Sequence, residues 1–311
     1  MSRAHTSPPR RTDRQDRSYS LDGQRVEAAP LAPGLHIVST PIGNLGDVTL
    51  RALSTLAAAD LIACEDTRVT RKLLDRYAIG APVTPYHDHN AATARPKLLQ
   101  KLAEGVAIAL VSDAGTPLIS DPGYKLVRAA QEAGYAVTAI PGASSILAAL
   151  TVSGLPTDQF FFAGFLPPKQ AERRARIAEL ARVLATLIVF ETGPRLAETL
   201  ADLAAALGER EAAVCRELTK LHEEVRRAPL ATLAHASAEH ETRGEFVLVI
   251  APPTALALAS EDDADALLRA ALARTSLKDA VGEVAVATGL PRRTLYQRAL
   301  ALTEEKDREA E

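Results

Sequence analysis

The 311-residue chain has little of several residue types on which whole classes of protein depend. Its two cysteines, Cys64 and Cys215, are far apart and lie outside any CxxC or histidine-containing metal motif. This spacing argues against a disulfide framework or a zinc site and predicts two buried thiols in a reducing cytosol. Trp is absent and aromatic residues make up 4% of the chain, so the core must consist of Ala, Leu, Val and Ile.

The chain also lacks long apolar runs and an excess of positive charge. No stretch approaches the roughly 20 apolar residues that cross a bilayer, and the first 20 residues contain no apolar core of a signal peptide. We therefore expect a soluble cytoplasmic protein with no membrane partner. The formal net charge of −3 argues against nonspecific coating of nucleic acid but leaves room for a local basic face.

From Leu35 onward, short β-branched runs alternate with amphipathic segments rich in Ala and Leu. Such alternation predicts an α/β domain with a mainly parallel sheet, whose ligands gather beyond the carboxyl ends of the strands. The predicted strands are 35–39, 60–64, 81–86, 106–112 and 135–140, and the predicted helices begin near Thr49, Thr67, Ala92, Gly123 and Ser144.

Composition predicts four segments. Residues 1–33 are polar and rich in Arg, Ser and Pro, which predicts a disordered tail. Residues 34–153 form the first α/β domain, and residues 154–255 form a second, mixed α/β domain. A linker-like run at 251–266 precedes a small helical unit at 265–305. There, residues 276–300 have the helix, glycine turn and helix of a helix-turn-helix, with Arg292, Arg293, Tyr296 and Arg298 on the second helix.

Three loops after predicted strands are dense in Gly, Pro and small polar residues: STPIGNLGDVT at 39–49, SDAGTPLISDPG at 112–123 and PGASS at 141–145. Each alone could be an ordinary turn between a strand and a helix. None is a GxGxxG or GxxxxGK[ST] motif, so a usual dinucleotide or nucleoside triphosphate site is not indicated. Asp113 and Asp121, without a nearby basic residue, suit a ligand that carries positive charge.

These loops, together with EDTR at 65–68, YHDHN at 86–90, GFLPPK, FETGPRL and RELTK, resemble the ribosomal RNA small subunit methyltransferase I family. That family belongs to the tetrapyrrole methylase superfamily of class III methyltransferases, and the resemblance runs from about residue 34 to residue 252. It implies two α/β domains with S-adenosylmethionine in the cleft between them. It also implies 2′-O-methylation of a cytidine in the decoding region of 16S rRNA, with the small ribosomal subunit as the expected form of the substrate, and a homodimer.

The resemblance also implies the residues of the cofactor pocket. By motif, these are Pro41, Asp113, Ala114, Gly115, Ile119, Ser144, Ser145, Phe190 and Leu218. No metal is required, because the sulfonium of the methyl donor is itself the electrophile.

Charged motifs near these loops are candidates for catalysis and RNA binding. Methyl transfer to a ribose hydroxyl benefits from a nearby base or cation, for which the candidates are Glu65, Asp66, Arg68 and Lys220. Asp66 could instead cap the next helix, and Lys220 could be a surface residue. The candidates for RNA contact are His87, His89, Arg173, Arg174, Arg292 and Arg293. The closely spaced histidines are weak evidence for a metal, and the arginines at 173–174 could belong to a solvated helix face.

Two other functions remain open. The same cofactor half would suit a class III methyltransferase that acts on a tetrapyrrole or another small molecule, although the EDTR, HDHN and RELTK motifs favour RNA. Alternatively, the helix-turn-helix could belong to a nucleic-acid-binding regulator without catalytic turnover.

Overall fold

The computed structural model describes residues 17–238, 243–253, 261–288 and 290–309. The chain forms two compact units, and a short segment in the middle of the second unit's sequence belongs to the first unit. The first unit extends to Val152 and also includes Arg216–Glu224. The second contains Ser153–Cys215 and the chain from Val225 onward. The whole RELTK motif, residues 216–220, therefore belongs to the first unit.

The first unit is built on a five-stranded parallel sheet. Its strands are β3 (Gly34–Val38), β4 (Leu61–Cys64), β5 (Val83–Pro85), β6 (Ala107–Val111) and β7 (Val137–Ile140). They lie side by side in the order β5-β4-β6-β3-β7. Each lies within one residue of, or inside, a strand range predicted from the sequence. The parallel direction places all five following loops at one edge of the sheet.

Five helices alternate with these strands and begin near the predicted positions; the first four connect successive strands and the fifth follows β7. They are α1 (Leu50–Ala58), α2 (Thr67–Arg76), α3 (Ala91–Ala103), α4 (Tyr124–Glu132) and α5 (Ser145–Ser153). Thr49 caps α1, because its hydroxyl accepts a hydrogen bond from the amide of Ala52 at 3.1 Å. A short 3₁₀ helix at Leu45–Asp47 precedes it, within the first glycine-containing loop.

The sheet is buried on both faces by aliphatic side chains, as the composition predicts. One cluster includes Leu53, Leu56, Ile62 and Leu74, and another includes Leu35, Ile108 and Leu126. Cys64 and Cys215 are free thiols, and the expectation that both are buried is confirmed. Burial raises the pKa of Cys64, so this thiol stays protonated near neutral pH.

The prediction of a disordered tail through residue 33 is wrong for its second half, whereas residues 1–16 lie outside the described part. Strands β1 (Ser18–Leu21) and β2 (Gln24–Glu27) form an antiparallel hairpin. Tyr19 is buried in the core of the first unit, and Arg17 forms a 2.6 Å ion pair with Asp60. Leu21, Val26, Ala28 and Leu31 also pack against this core, partly buried. These scattered apolar residues have no regular period, so the sequence pattern could not reveal the hairpin.

The second unit contains a mixed five-stranded sheet. Its strands are β8 (Phe160–Phe165), β9 (Thr186–Thr192), β10 (Glu211–Arg216), β11 (Glu224–Pro229) and β12 (Glu245–Ile250), in the spatial order β11-β10-β12-β9-β8. Strand β9 is parallel to β8 and antiparallel to β12. Its helices are α6 (Gln170–Leu180), α7 (Gly193–Leu207) and α8 (Leu230–Ala238). The sequence predicts strands at FFFAGF, 186–191, 212–218 and 245–252 and helices from Lys169 and Arg195, which correspond to all of these elements except β11 and α8.

Three helices follow: α9 (Glu261–Leu272), α10 (Leu277–Thr288) and α11 (Arg292–Glu309). They share a core that includes Leu268, Val281, Val284 and Leu295. The helix-turn-helix expectation corresponds to α10 and α11, whereas α9 begins inside the run that was predicted to be linker. Among the described helices, none has the length and apolar character of a membrane-spanning segment.

Candidate active site

The three glycine-containing loops of the first unit are joined by hydrogen bonds at the carboxyl edge of the parallel sheet. Thr40, after β3, and Gly115, after β6, exchange backbone hydrogen bonds of 2.8 and 3.1 Å. The Ser39 hydroxyl lies 2.9 Å from that of Thr116, which also donates to the carbonyl of Ala143 in the third loop at 3.3 Å. The sequence therefore correctly indicated three neighbouring loops, and these bonds hold them in a defined arrangement.

Gly115 has a backbone conformation and surroundings that favour glycine. Its φ is +75°, and a Cβ placed on it would lie 3.2 Å from Cγ2 of Ile42. Farther along the same loop, Leu118 and Ser120 have φ values of 76° and 62°, which residues other than glycine rarely adopt. Strained backbone that persists in a folded protein is concentrated at functional sites, so this loop is a strong candidate for ligand binding.

The segment Arg216–Glu224 brings the predicted catalytic Lys220 against the first loop. A Cβ at Gly43 would lie 2.4 Å from Cγ of Lys220 and 3.0 Å from Oγ1 of Thr219, so only glycine permits this approach. The Lys220 ammonium lies 3.2 Å from a carboxylate oxygen of Glu217. Leu218 is buried, and both Glu217 and Thr219 have positive φ. This strained loop therefore lies beside the glycine-containing loop at 39–49.

Carboxylates gather at the other end of the same edge, around the loops after β4, β5 and β6. The side chain of Asp113 accepts a 3.0 Å hydrogen bond from the backbone amide of Asp66. Burial raises the pKa of Glu65, and the negative charges of Asp113, Asp121 and Asp88 raise it further. Burial and the charge of Asp113 also raise the pKa of Asp121, against a hydrogen bond from Ser112. Glu65 is thus a carboxylate with enhanced affinity for a proton.

Asp66 and Arg68, two further predicted catalytic residues, bind chiefly to each other. Asp66 caps α2 by accepting a hydrogen bond from the amide of Arg68 at 2.8 Å, and the Arg68 guanidinium pairs with the same carboxylate at 2.6 Å. The hydrogen bonds from Arg68 lower the pKa of Asp66 to about 2. The Arg68 side chain is 87% exposed. Asp66 therefore caps α2, which was the alternative to a catalytic role. Its lowered pKa also makes it a poor proton acceptor near neutral pH.

His87 and His89 lie after β5 with their rings edge to face at a centroid distance of 6.0 Å. Asn90 organises this turn, because its side chain accepts from the amide of His87 and donates to the carbonyl of Pro85. The buried Nδ1 atom of His87 has no hydrogen-bond partner among the described residues. In the part of the chain that the structure describes, no group of three or more metal-binding side chains is present.

The remaining predicted cofactor residues differ in their surroundings. Pro41 is buried, Ala114 and Ile119 are exposed, and Ser144 and Ser145 are half-buried at the start of α5, all within the three loops. Phe190 lies on β9 of the second unit, with its ring 4.8 Å from that of Phe162 and 5.5 Å from that of Phe165. The next residue, Glu191, is buried and accepts a 2.6 Å hydrogen bond from Thr199.

The prediction that Arg173 contacts RNA is wrong. Its side chain is 1% exposed and pairs with Asp202 at 2.7 Å, with a further ion pair to Glu198. Arg174 also binds Asp202 at 2.7 Å, although it is 60% exposed. These arginines fasten α6 to α7. The acidic partners are about 28 residues away in the chain, so the local charge pattern of α6 could not reveal them.

Several residues of the site were not singled out from the sequence. Ser39, Thr40 and Thr116 make the bonds between loops. All three lie inside the glycine-containing motifs. Their membership in the motifs was the available signal, whereas their contacts depend on strand order.

Comparison with known proteins adds independent findings. Residues 34–234 match the family model described as Tetrapyrrole (Corrin/Porphyrin) Methylases, and residues 259–303 match that described as RsmI C-terminal HTH domain. Ribosomal RNA small subunit methyltransferase I of Mesorhizobium japonicum is 53% identical over 279 residues, which cover 89% of this chain and 95% of the relative. The protein of the same name from Erythrobacter litoralis is 54% identical, covering 88% of this chain and 97% of the relative.

Solved structures support the fold at lower sequence similarity. A cobalamin biosynthetic enzyme, cobalt precorrin-4 methyltransferase, has a TM-score of 0.53 and 18% identity, covering 70% of this chain and 94% of the other. A conserved hypothetical protein from Aeropyrum pernix K1 has a TM-score of 0.56 and 19% identity, covering 89% and 98%. At these identities the likeness establishes the α/β methylase architecture alone.

Proposed function

The chain belongs to the tetrapyrrole methylase family and to its ribosomal RNA small subunit methyltransferase I branch, and from this we propose that it methylates 16S rRNA. The reaction would transfer a methyl group from S-adenosylmethionine to the 2′-hydroxyl of a cytidine ribose in the decoding region. The observation that carries the proposal is about 50% identity over nearly the full length of several relatives that bear this name. Similarity to the tetrapyrrole enzymes is far lower.

The first-unit loops fit S-adenosylmethionine as the methyl donor. Gly115 lets the loop lie close to Ile42, where a Cβ would be 3.2 Å from Cγ2 of that residue, and the exposed Asp113 offers a carboxylate to a ligand with positive charge. The buried hydroxyl of Thr219 has no hydrogen-bond partner among the described residues, which leaves a polar atom for a ligand. We assign donor binding to Pro41, Asp113, Ala114, Gly115, Ile119, Ser144, Ser145 and Leu218, and include Phe190 from its motif.

When bound, the sulfonium supplies an electrophilic methyl group, so the protein has to position the ribose and manage one proton. We assign the proton to Glu65, because its raised pKa makes it a better base than an ordinary glutamate. Asp66 and Arg68 would position this loop through the bond from the Asp66 amide to Asp113. Lys220, held against Gly43, would place a positive charge beside the developing ribose oxyanion.

The substrate would be recognised by residues outside this centre. His87 and His89 are exposed enough to bind RNA at the sheet edge, and Arg174 retains an exposed guanidinium despite its ion pair. Because ribosomal RNA is assembled in the cytoplasm, we place the enzyme there, with the small ribosomal subunit as its partner. We also propose a homodimer, for which light scattering of the purified chain is the direct test.

One assay separates this proposal from the alternatives. Tritiated S-adenosylmethionine is incubated with the protein and with small ribosomal subunits, free 16S rRNA, a porphyrinogen or duplex DNA. We expect label in the rRNA, resistant to protease and located at a ribose by nuclease digestion. Label in the porphyrinogen would favour a small-molecule methyltransferase. Tight DNA binding without label in any substrate would favour a non-enzymatic regulator.

A variant ties the label to the site. Asp113→Ala removes the carboxylate that binds the Asp66 amide, and we expect it to abolish most incorporation. Glu104→Ala, which removes an exposed carboxylate at the end of α3, should leave incorporation unchanged. Equal activity of the two variants would contradict the placement of the active site at this edge.

A further inference from the structure

The C-terminal helices contain an open groove that the active-site proposal does not use. It lies between α10 and the beginning of α11, has a volume of about 550 Å³, and is lined by Lys278, Gly282, Arg292, Arg293 and Tyr296, among others. A Cβ placed on Gly282 would meet nothing within 4 Å, so the groove is open above this residue. Tyr296 is 47% exposed.

The side chains that line the groove carry more positive than negative charge. Three cationic side chains, those of Lys278, Arg292 and Arg293, line it, and no ion pair or hydrogen bond is found for them among the described residues. The two acidic residues of the lining are engaged elsewhere. Asp279 accepts a 2.7 Å hydrogen bond from the hydroxyl of Ser276, and Glu283 pairs with Arg274.

Another arginine of α11, Arg298, does not line the groove and has a structural role. Arg298, on the same helix, binds both carboxylate oxygens of Asp265 at 2.8 and 2.9 Å and so fastens α11 to α9. Its ion pair stabilises the three-helix unit. Of the basic residues that the helix-turn-helix pattern places on α11, Arg298 thus has a structural role, and Arg292 and Arg293 are the candidates for contact with nucleic acid.

The spacing of the groove residues suits a nucleotide. Tyr296 lies one helical turn after Arg292 and three residues after Arg293, so the three side chains share a face of α11. Arginines there can bind a phosphate while the neighbouring ring stacks on a base, two interactions that occur within one nucleotide. A protein helix would need exposed aliphatic anchors, but Val281, the aliphatic residue of the lining, is 4% exposed.

We propose that this groove binds single-stranded RNA of the substrate, with Arg292, Arg293 and Lys278 on phosphates and Tyr296 stacked on a base. This rests on the proposed function, because it takes the RNA to be the strand that is methylated. The groove would then increase affinity for the substrate without taking part in methyl transfer. Variants of the groove should accordingly raise KM and leave kcat unchanged.

The first test measures RNA binding by the full-length protein. A fluorescently labelled, single-stranded RNA that spans the methylated region of 16S rRNA is titrated at several salt concentrations, with the corresponding DNA strand and a DNA duplex as competitors. For the double variant Arg292→Ala, Arg293→Ala we expect at least tenfold weaker binding. The slope of log affinity against log salt should fall by about 1.4, about 0.7 for each lost contact with a single-strand phosphate.

Matched variants separate the groove from general charge and from folding. Lys97→Ala, Lys101→Ala removes two positive charges from α3 and should leave the affinity within twofold of the original. Tyr296→Phe should keep binding, whereas Tyr296→Ala should weaken it about tenfold without a change of salt slope. Gly282→Ala should bind RNA normally, because its Cβ meets no atom, and Gly282→Leu should block the groove.

The outcomes distinguish this proposal from the one on which it rests. If the unaltered protein labels rRNA and the groove variants keep its affinity and KM, the groove proposal is overturned and the methyltransferase stands. Equal losses in the α3 and α11 double variants, or tighter binding of duplex DNA than of RNA, would also overturn it. Absence of methyl transfer by the unaltered protein would instead refute the proposed function, while the RNA titration would still report on the groove.

Discussion

At the scale of single residues, Gly115 is a position of the proposed donor site where a small substitution should be felt. Gly115→Ala would impose a left-handed conformation on alanine and place its Cβ 3.2 Å from Ile42. We expect calorimetry to show at least tenfold weaker binding of S-adenosylmethionine, because the loop must shift. Gly134→Ala is the matched control, since Gly134 has a φ of +79° but a Cβ placed there would meet nothing within 4 Å. Equal affinities of the two variants would remove Gly115 from the site.

The raised pKa of Glu65 leads to a specific prediction of how activity depends on pH. A general base acts when it is deprotonated, so kcat/KM should rise as the pH increases through the raised pKa of Glu65. The midpoint of this acid limb should lie above the ordinary glutamate value of about 4.3. In Glu65→Gln the limb should disappear and kcat should fall by about 10²-fold or more.

A second variant tests the cause of that shift. Asp88 contributes to the raised pKa of Glu65 through its charge, so Asp88→Asn should move the acid limb to lower pH. A limb that is identical in the original protein, Glu65→Gln and Asp88→Asn would assign the proton to another group.

At the scale of elements, the ion pairs between α6 and α7 predict unequal effects of neighbouring arginines. Arg173→Leu would remove the buried partner of Asp202 and leave this carboxylate only its bond to the exposed Arg174, so it should lower the free energy of unfolding by about 3–5 kcal/mol. Arg174→Ala removes a partner that is 60% exposed and should change it by less than about 1 kcal/mol. Urea unfolding of both variants measures the difference, and similar losses would contradict the buried clamp.

The same ion pairs predict how the stability depends on pH. Burial alone would raise the pKa of Asp202, but hydrogen bonds from Arg174 and Arg173 more than offset it, so the pKa lies below its ordinary value. The stabilisation is therefore present above the pKa of an unfolded aspartate, about 3.9, and is lost as the pH falls through the lower folded value. The clamp contributes fully at the neutral pH at which the methyl transfer assay is run.

At the scale of the whole molecule, binding of the donor should stabilise the folded chain by mass action. At a donor concentration of about 100 times Kd, the expected gain is about 2.7 kcal/mol. We expect a higher Tm by differential scanning fluorimetry in the original protein and in Gly134→Ala, and a smaller rise in Gly115→Ala. A donor-induced rise that is the same in all three proteins would indicate that the donor binds elsewhere.

Regular patterns along the chain were sufficient to predict most of the architecture. Alternating β-branched and Ala/Leu-rich segments predicted the parallel sheet of the first unit, and the glycine-rich loops followed from the ends of its strands. The elements that the sequence did not predict lack a regular pattern of apolar residues. The hairpin at Ser18–Glu27 depends on the burial of Tyr19, and strand β11 is a polar segment at the edge of its sheet.

Periodicity and turn chemistry act over a few residues, so they could establish which segments are strands, helices and functional loops. Family motifs added the chemistry of those loops. The partners of individual side chains depend instead on which distant segments pack together. Only folding shows that Arg173 is buried against Asp202, that Lys220 lies on Gly43, and that carboxylates surround Glu65. Long-range packing determines burial and electrostatic environment, and these decide whether a charged residue stabilises the fold or is available to a ligand.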